Sequence, residues 1–211
     1  MREGGLGACL NFLDFFATNV QRTAVTTAAN CCRSIPDDCF DTVRDIIPVL
    51  LNVLRSSDQR VVEQGCLCVA RIAESFRNRP DKLEQLMSTD ILRAVISLLL
   101  PGTTNLVGPH IHTQFLRVLG ITAKASPALS VELLKMNIVD TLHQILTGVS
   151  APSDNDATSL RNDSIMIMQA LIHRPREQVF ETLNVICELL PSVPHGKNFL
   201  VLLLLWLTDS R

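Results

Sequence analysis

The chain has 211 residues, of which 47% are hydrophobic and 19% are charged, so it has enough apolar material for a folded core and is not a disordered segment. Its formal net charge of −2 excludes the strong basic field expected of a domain that binds nucleic acid or an acidic membrane surface. Tyrosine is absent and aromatic residues make up 4%, so aliphatic side chains must build the interior, which favours packed helices over sheets.

Hydrophobic periodicity is helical along most of the chain and predicts units of a short first helix, an apolar second helix and a longer third helix. In chain order, the predicted second helices are Leu6–Phe16, Arg44–Arg55, Asp90–Leu100 and Ile138–Thr147. The predicted third helices are Asn19–Arg33, Asp58–Ser75 and His110–Ala125. Two further helices are predicted at Ser164–His173 and Glu177–Leu190. No segment alternates with period two, so we predict no strand.

Two pairs of similar blocks indicate an internal repeat. Gln21–Arg33 (QRTAVTTAANCCR) resembles Gln59–Arg71 (QRVVEQGCLCVAR), and Met87–Leu100 resembles Leu134–Thr147. Their offsets bracket the ~40–47 residues typical of armadillo and HEAT units. We therefore predict an all-α, right-handed solenoid of armadillo/HEAT type with about four to five repeats, in which each unit buries its apolar face against its neighbours.

The predicted domain covers residues 1–194. Within it, a Gly/Ser/Pro/Asp-rich stretch, Gly148–Asp163, interrupts the pattern and is predicted to be a mobile loop, either a plain insertion or a segment regulated by phosphorylation. Residues 195–211 form an atypical apolar tail, which must be buried in this chain or against another copy. Self-association through the tail or a solenoid end therefore stays open beside a monomer.

Four blocks in a fixed order carry a resemblance to one family. GGLGACLNFLDFF, QRTAVTTAANCC, NIVDTLHQILTG and RPREQVFETLNVICELLPSVP resemble the armadillo-like region of the HECT-type ubiquitin ligases of the ubiquitin-fusion-degradation pathway, over roughly Glu3–Pro194. The resemblance implies a non-catalytic piece of a larger E3 ligase. Its implied partners are protein substrates, ubiquitin itself and the remaining domains of the parent. The alternative is a general armadillo-type protein-binding scaffold unconnected to ubiquitin.

No catalytic, metal or cofactor site is predicted. Cys31-Cys32 and Cys66-x-Cys68 lack the C-x₂₋₄-C spacing of zinc ligands, and buried small hydrophobes explain them better. His110 and His112 are too close in sequence to share a helical face. The chain contains no G-x-G-x-x-G, P-loop, G-x-S-x-G or H-E-x-x-H motif.

Cysteine usage and hydropathy bear on the location of the protein. The seven cysteines are odd in number and lie in helix-like runs, which favours reduced thiols. Met1–Gly7 lacks the apolar core of a secretory signal, and the apolar stretch Phe199–Leu207 is about half of the ~20 residues that a membrane helix needs. We expect a cytoplasmic or nuclear protein without a membrane partner.

A polar stripe along the third helices is the candidate binding surface. Its members are Arg22, Thr26, Asn30 and Arg33 on the first helix, Arg60, Gln64, Cys68 and Arg71 on the second, and Arg117 on the third. Thr26 stands where peptide-binding armadillo proteins carry a Trp four residues before Asn30, so recognition of nuclear-import cargo is disfavoured. We predict an arginine-bearing concave groove that binds carboxylates or backbone carbonyls of a protein partner. The alternative is an ordinary solvated face with i,i+4 ion pairs.

Overall fold

The computed structural model describes residues 4–11, 13–100, 108–147 and 176–192, and these are helical without any strand. Short 3₁₀ helices lie at Leu13–Phe15, Asp37–Cys39 and Leu190–Ser192. The α-helices of the described ranges are α1 (Gly5–Leu10), α2 (Thr18–Cys31), α3 (Phe40–Leu54), α4 (Gln59–Phe76), α5 (Pro80–Leu86), α6 (Thr89–Leu99), α7 (Pro109–Ala125), α8 (Pro127–Lys135), α9 (Ile138–Thr147) and α10 (Arg176–Leu189).

The predicted third helices agree with the observed ones to within two residues at each end, and α9 begins and ends where it was predicted. Two second helices were predicted wrongly. The helix predicted at Leu6–Phe16 ends at Leu10 and is followed by a 3₁₀ turn, and α3 begins four residues before Arg44. The predicted helix Ser164–His173, the predicted loop 148–163 and the tail 195–211 lie outside the described residues.

Helix starts follow local capping chemistry. The Asp58 side chain accepts a hydrogen bond from the Val61 N–H at 3.1 Å and caps α4. The Ser88 side chain caps α6 by accepting a hydrogen bond from the Ile91 N–H. Proline is the first residue of α5, α7 and α8, where its missing N–H has no partner to lose.

The long helices stack in two layers. Helices α2, α4, α7 and α10 contact one another in sequence and form an inner layer, while α1, α3, α6 and α9 form an outer layer against it. The short helices α5 and α8 connect the layers and supply the predicted first helices. Between the layers runs one continuous aliphatic core, in which Leu50, Phe76, Leu99 and Phe115 are among the fully buried side chains. This arrangement is the predicted all-α solenoid.

Helix α10 completes the inner layer of the last described unit. The sequence predicted a helix at Glu177–Leu190 without assigning its place in a repeat. Its packing against α7 gives it the position of a third helix. None of the helices in the described ranges is long and apolar enough to cross a membrane.

Candidate functional site

The inner layer carries the stripe predicted from the sequence, with one correction. Thr26, Asn30, Arg33 and Arg60 are exposed, and Gln64 is half-buried, but Cys68 is fully buried and does not belong to this surface. The reason is helical geometry. A helix has 3.6 residues per turn, so side chains spaced by four drift about 40° at each step. Two steps after Arg60, the drift has carried Cys68 into the core.

Arg22 is held against an acidic partner one unit away. Its Nη2 lies 2.6 Å from Oδ2 of Asp58, and its Nε donates to both Asp58 carboxylate oxygens at 3.1 Å. The hydrogen bonds from Arg22 lower the pKa of Asp58, and the same pair raises the pKa of Arg22. Because Asp58 also caps α4, Arg22 fixes α2 to the start of the next inner helix.

Arg71 and Arg117 also reach across helix boundaries. Nη1 of Arg71 in α4 donates to the carbonyl of Ala29 in α2. Nε and Nη2 of Arg117 in α7 donate to Oε1 of Glu181 in α10 at 3.1 and 3.0 Å. These arginines therefore join neighbouring helices of the inner layer. They do not form the i,i+4 pairs within one helix that the alternative interpretation assumed.

An open groove lies further along the inner layer than the predicted stripe. It runs over α4, α7 and α10 and has a volume of about 1020 Å³. Of the predicted residues, only Arg71 and Arg117 line it. The structure thus divides the candidate residues between an exposed surface on α2 and α4 and this groove.

Sequence reasoning missed the polar lining of the groove. Gln114 in α7 and Asn184 in α10 are half-buried there, and neither side-chain amide makes a hydrogen bond with any residue of the described ranges. Lys124 lies at its edge with Nζ 3.5 Å from Oε1 of Glu188. No sequence signal identified Asn184, because it reaches this surface only through the packing of α10 against α7.

The cysteines are mainly interior groups. Cys32, Cys66 and Cys68 are fully buried, as predicted, whereas Cys31 is half-buried and Cys187 is exposed. Burial raises the pKa of Cys66 far above its ordinary value. A hydrogen bond with Cys32, together with burial, raises the pKa of Cys68. Across the described part of the chain, no three potential metal-ligating side chains cluster.

Sequence comparison relates most of the chain to ubiquitin ligases. It is 34% identical over 95% of its length to E3 ubiquitin-protein ligase TRIP12 of Danio rerio, and 36% identical over 93% to E3 ubiquitin-protein ligase UPL3 of Arabidopsis thaliana. It is 35% identical over 91% of its length to a probable ubiquitin fusion degradation protein of Schizosaccharomyces pombe. The chain spans only 9%, 10% and 11% of these three relatives. No protein-family profile matches it.

Structural comparison supports the fold alone. An engineered protein superposes on this chain with a TM-score of 0.58 at 16% sequence identity. The match covers 87% of this chain and 78% of the engineered protein. In sequence, importin subunit alpha-3 of Arabidopsis thaliana is 25% identical over 51% of the chain. Both findings agree with a helical repeat of the armadillo type.

Proposed function

The chain belongs to the ubiquitin-fusion-degradation family of E3 ubiquitin ligases through the helical repeat region that it shares with them, and we propose that it is a non-catalytic scaffold that recognises or positions a protein substrate or ubiquitin for ubiquitination. The observation that carries the proposal is the stacked inner layer α2–α4–α7–α10, which presents exposed polar side chains on α2 and α4 and an open groove over α4, α7 and α10. Helical solenoids use such extended surfaces to hold partner proteins. Transfer of ubiquitin would belong to a HECT domain elsewhere in the parent ligase.

Side-chain contacts between the helices of the inner layer support a scaffold. The Arg22–Asp58 and Arg117–Glu181 pairs each join two of its helices, and Arg71 joins α4 to a backbone carbonyl of α2. A surface whose shape is fixed before binding loses less conformational entropy when a partner docks. The buried thiols accord with a reducing compartment, and we propose the cytoplasm or the nucleus as its location.

Arg33 and Arg60 are the arginines best placed for a partner on the α2–α4 part of the surface. Both are exposed, and neither has a carboxylate partner among the described residues. Exposed guanidinium groups bind carboxylates and carbonyl oxygens of another protein through several donors at once. Thr26 and Asn30 are also exposed on α2 and add neutral hydrogen-bonding groups.

The test is a titration of ¹⁵N-labelled ubiquitin, and separately of a labelled ubiquitin-fusion substrate, with this chain. We expect amide signals of at least one of the two to shift, and the shifts to weaken for Arg60→Glu. Arg93→Glu is the matched control, because Arg93 is an exposed arginine of the outer helix α6. If neither labelled protein responds at millimolar concentrations of the chain, this region does not recognise substrate or ubiquitin.

A further inference from the structure

The groove over α4, α7 and α10 has dimensions that suit an extended polypeptide. Neighbouring packed helices lie about 8–10 Å apart, so a path across three of them is about 20 Å long. An extended chain rises ~3.3 Å per residue and would cross it with about six residues. The volume of about 1020 Å³ is at the upper end of ordinary ligand sites. The groove is open, so the ends of a longer chain would leave it freely.

The groove has an apolar floor, and two side-chain amides also line it. Val118 and Ile121 of α7 and Ala70 of α4 line it. Gln114 and Asn184 each present an N–H donor and a carbonyl acceptor, and neither is used within the described ranges. A peptide group offers the complementary acceptor and donor. Half-buried amides that have no partner among the described residues can bind water, and an extended backbone can replace that water without loss of hydrogen bonds.

The charge of the groove favours an acidic segment. Every other cationic side chain that lines it lies against a glutamate carboxylate. Arg71 differs, because its guanidinium donates to the carbonyl of Ala29, and no carboxylate of the described residues pairs with it. Its positive charge is therefore uncompensated, although the chain as a whole is acidic. A carboxylate that reached the remaining donors of Arg71 would form a charge-assisted hydrogen bond beside an apolar floor.

We propose that this groove binds an extended acidic polypeptide segment, whose backbone hydrogen-bonds to the amides of Gln114 and Asn184 and whose carboxylate pairs with Arg71. The proposal rests on the scaffold function above and specifies where on the inner layer a partner binds and which chemistry it carries. The surface on α2 and α4 lies outside this site, so the two parts of the inner layer are tested by different variants.

Two capped synthetic peptides, one of Gly-Ser-Glu repeats and one of Gly-Ser-Lys repeats, are suitable probes when both are long enough to cross the groove. The readout is the side-chain NH₂ signals of Gln114 and Asn184 in the ¹⁵N-labelled chain. We expect the glutamate peptide to shift both signals saturably and the lysine peptide to leave them in place. Arg71→Gln should weaken the glutamate peptide roughly tenfold, the effect of one charge-assisted hydrogen bond. Arg93→Gln on the outer layer should leave its affinity unchanged.

A second variant keeps the test informative if Arg71→Gln loosens the contact with α2. Asn184→Leu retains the size of the side chain and should weaken the glutamate peptide while leaving Arg71 in place. Both variants are checked by amide hydrogen exchange of α2 and α4.

Three results would overturn the proposal: no shift of either amide at millimolar glutamate peptide, equal binding of the lysine peptide, or the same shifts with sodium acetate at equal carboxylate concentration. The last would indicate a simple anion site. If the peptides fail while ubiquitin or the fusion substrate still binds, the groove proposal falls and the scaffold function stands. If neither peptides nor labelled proteins bind, both fall.

Discussion

Gly65→Ala is a substitution whose effect on stability follows from the packing of α4 against α3. A Cβ at Gly65 would lie 2.6 Å from Cγ1 of Val53 and 3.5 Å from Cδ2 of Leu54. Carbon atoms in contact prefer ~3.5–4.0 Å, so the new methyl group overlaps Val53 by about 1 Å. Val53 is only 4% exposed and is β-branched, so it has no free rotamer into which to move. The two helices must separate locally.

The expected size of the effect comes from two opposing contributions. Overpacking a well-filled core costs about 1–3 kcal/mol, and an overlap with a buried, stiff side chain belongs in the upper half of that range. Alanine is the better helix former by ~0.8–1.0 kcal/mol, which offsets part of this loss. We expect the free energy of unfolding to fall by about 1–2 kcal/mol. For a chain of this size the melting temperature then falls by ~2–8 °C.

Gly120→Ala provides the matched control. Gly120 lies in the inner helix α7, and its added Cβ would meet Nδ2 of Asn184 at 2.9 Å. That atom is at the end of a rotatable side chain, so the Asn184 amide can move away from the new methyl group with little loss of free energy. The gain in helix propensity applies here too and is offset only by the small shift of Asn184, so we expect the unfolding free energy of this variant to equal that of the wild type or exceed it by up to about 1 kcal/mol.

The assay is urea unfolding followed by circular dichroism, combined with amide hydrogen exchange in α3 and α4, because solenoids need not unfold in one step. A double-mutant cycle with Val53→Ala isolates the contact. Removing the methyl groups of Val53 makes room for the methyl group added at Gly65, so the double variant should be more stable than the sum of the single losses by roughly 1 kcal/mol. If Gly65→Ala is as stable as the wild type and the cycle shows no coupling, the helices are not packed this closely and the reasoning is refuted.

Three other predictions follow from the ion pairs and thiols. The hydrogen bonds from Arg22 lower the pKa of Asp58, so this interaction contributes stability above the ordinary carboxyl pKa of ~3.9 and loses it as the pH falls through the lowered value. Carboxyl NMR titration should show the pKa of Asp58 rising in Arg22→Gln, and an unchanged value would contradict the pairing. Iodoacetamide should modify the exposed Cys187 before the buried thiols of α4, as mass spectrometry of digested protein would show, with the difference abolished in denaturant. Arg117→Ala leaves the buried carboxylate of Glu181 without its donors, so unfolding should become easier by about 1–3 kcal/mol. Faster hydrogen exchange should appear in α10 and not in α2, and a uniform increase would argue against a local effect.

The fold was predictable because each helix is marked by apolar residues that recur at helical spacing within a short stretch of sequence. Apolar residues of α4 and α6 recur at helical spacing and are buried almost without exception, so the helices could be placed to within a few residues. The break after Leu10 could not be predicted, since the apolar residues that follow continue the helical pattern. Helix α10 was predicted as a helix, but its place in the inner layer depends on packing against α7, which no spacing within α10 encodes.

The candidate site was predictable only in part, because its decisive contacts are long-range. Arg22 meets a carboxylate 36 residues away, and Arg117 meets one 64 residues away. Sequence spacing reveals neighbours on one helix and gives no information about partners on the next. The burial of Cys68 was in principle foreseeable from the 40° drift of a four-residue spacing. The free side-chain amides of Gln114 and Asn184 could not be predicted, because their lack of partners among the described residues depends on how the helices of the inner layer pack together.

Charge reversal separates the structural arginines from those available to a partner. Arg22→Glu would place a second carboxylate against Asp58 and remove the donors that hold this cap of α4. We therefore expect lower stability and a raised Asp58 pKa, so loss of partner binding in that variant would say nothing about the surface.

Arg60→Glu is expected to behave differently. Arg60 is exposed in the first turn of α4, where a negative charge is favoured by the helix dipole, so the fold should be retained. With stability matched by thermal unfolding, reduced ubiquitin or substrate binding by Arg60→Glu would assign recognition to the α2–α4 surface. Undiminished binding would exclude that surface and leave the groove on α4, α7 and α10 as the place where a partner docks.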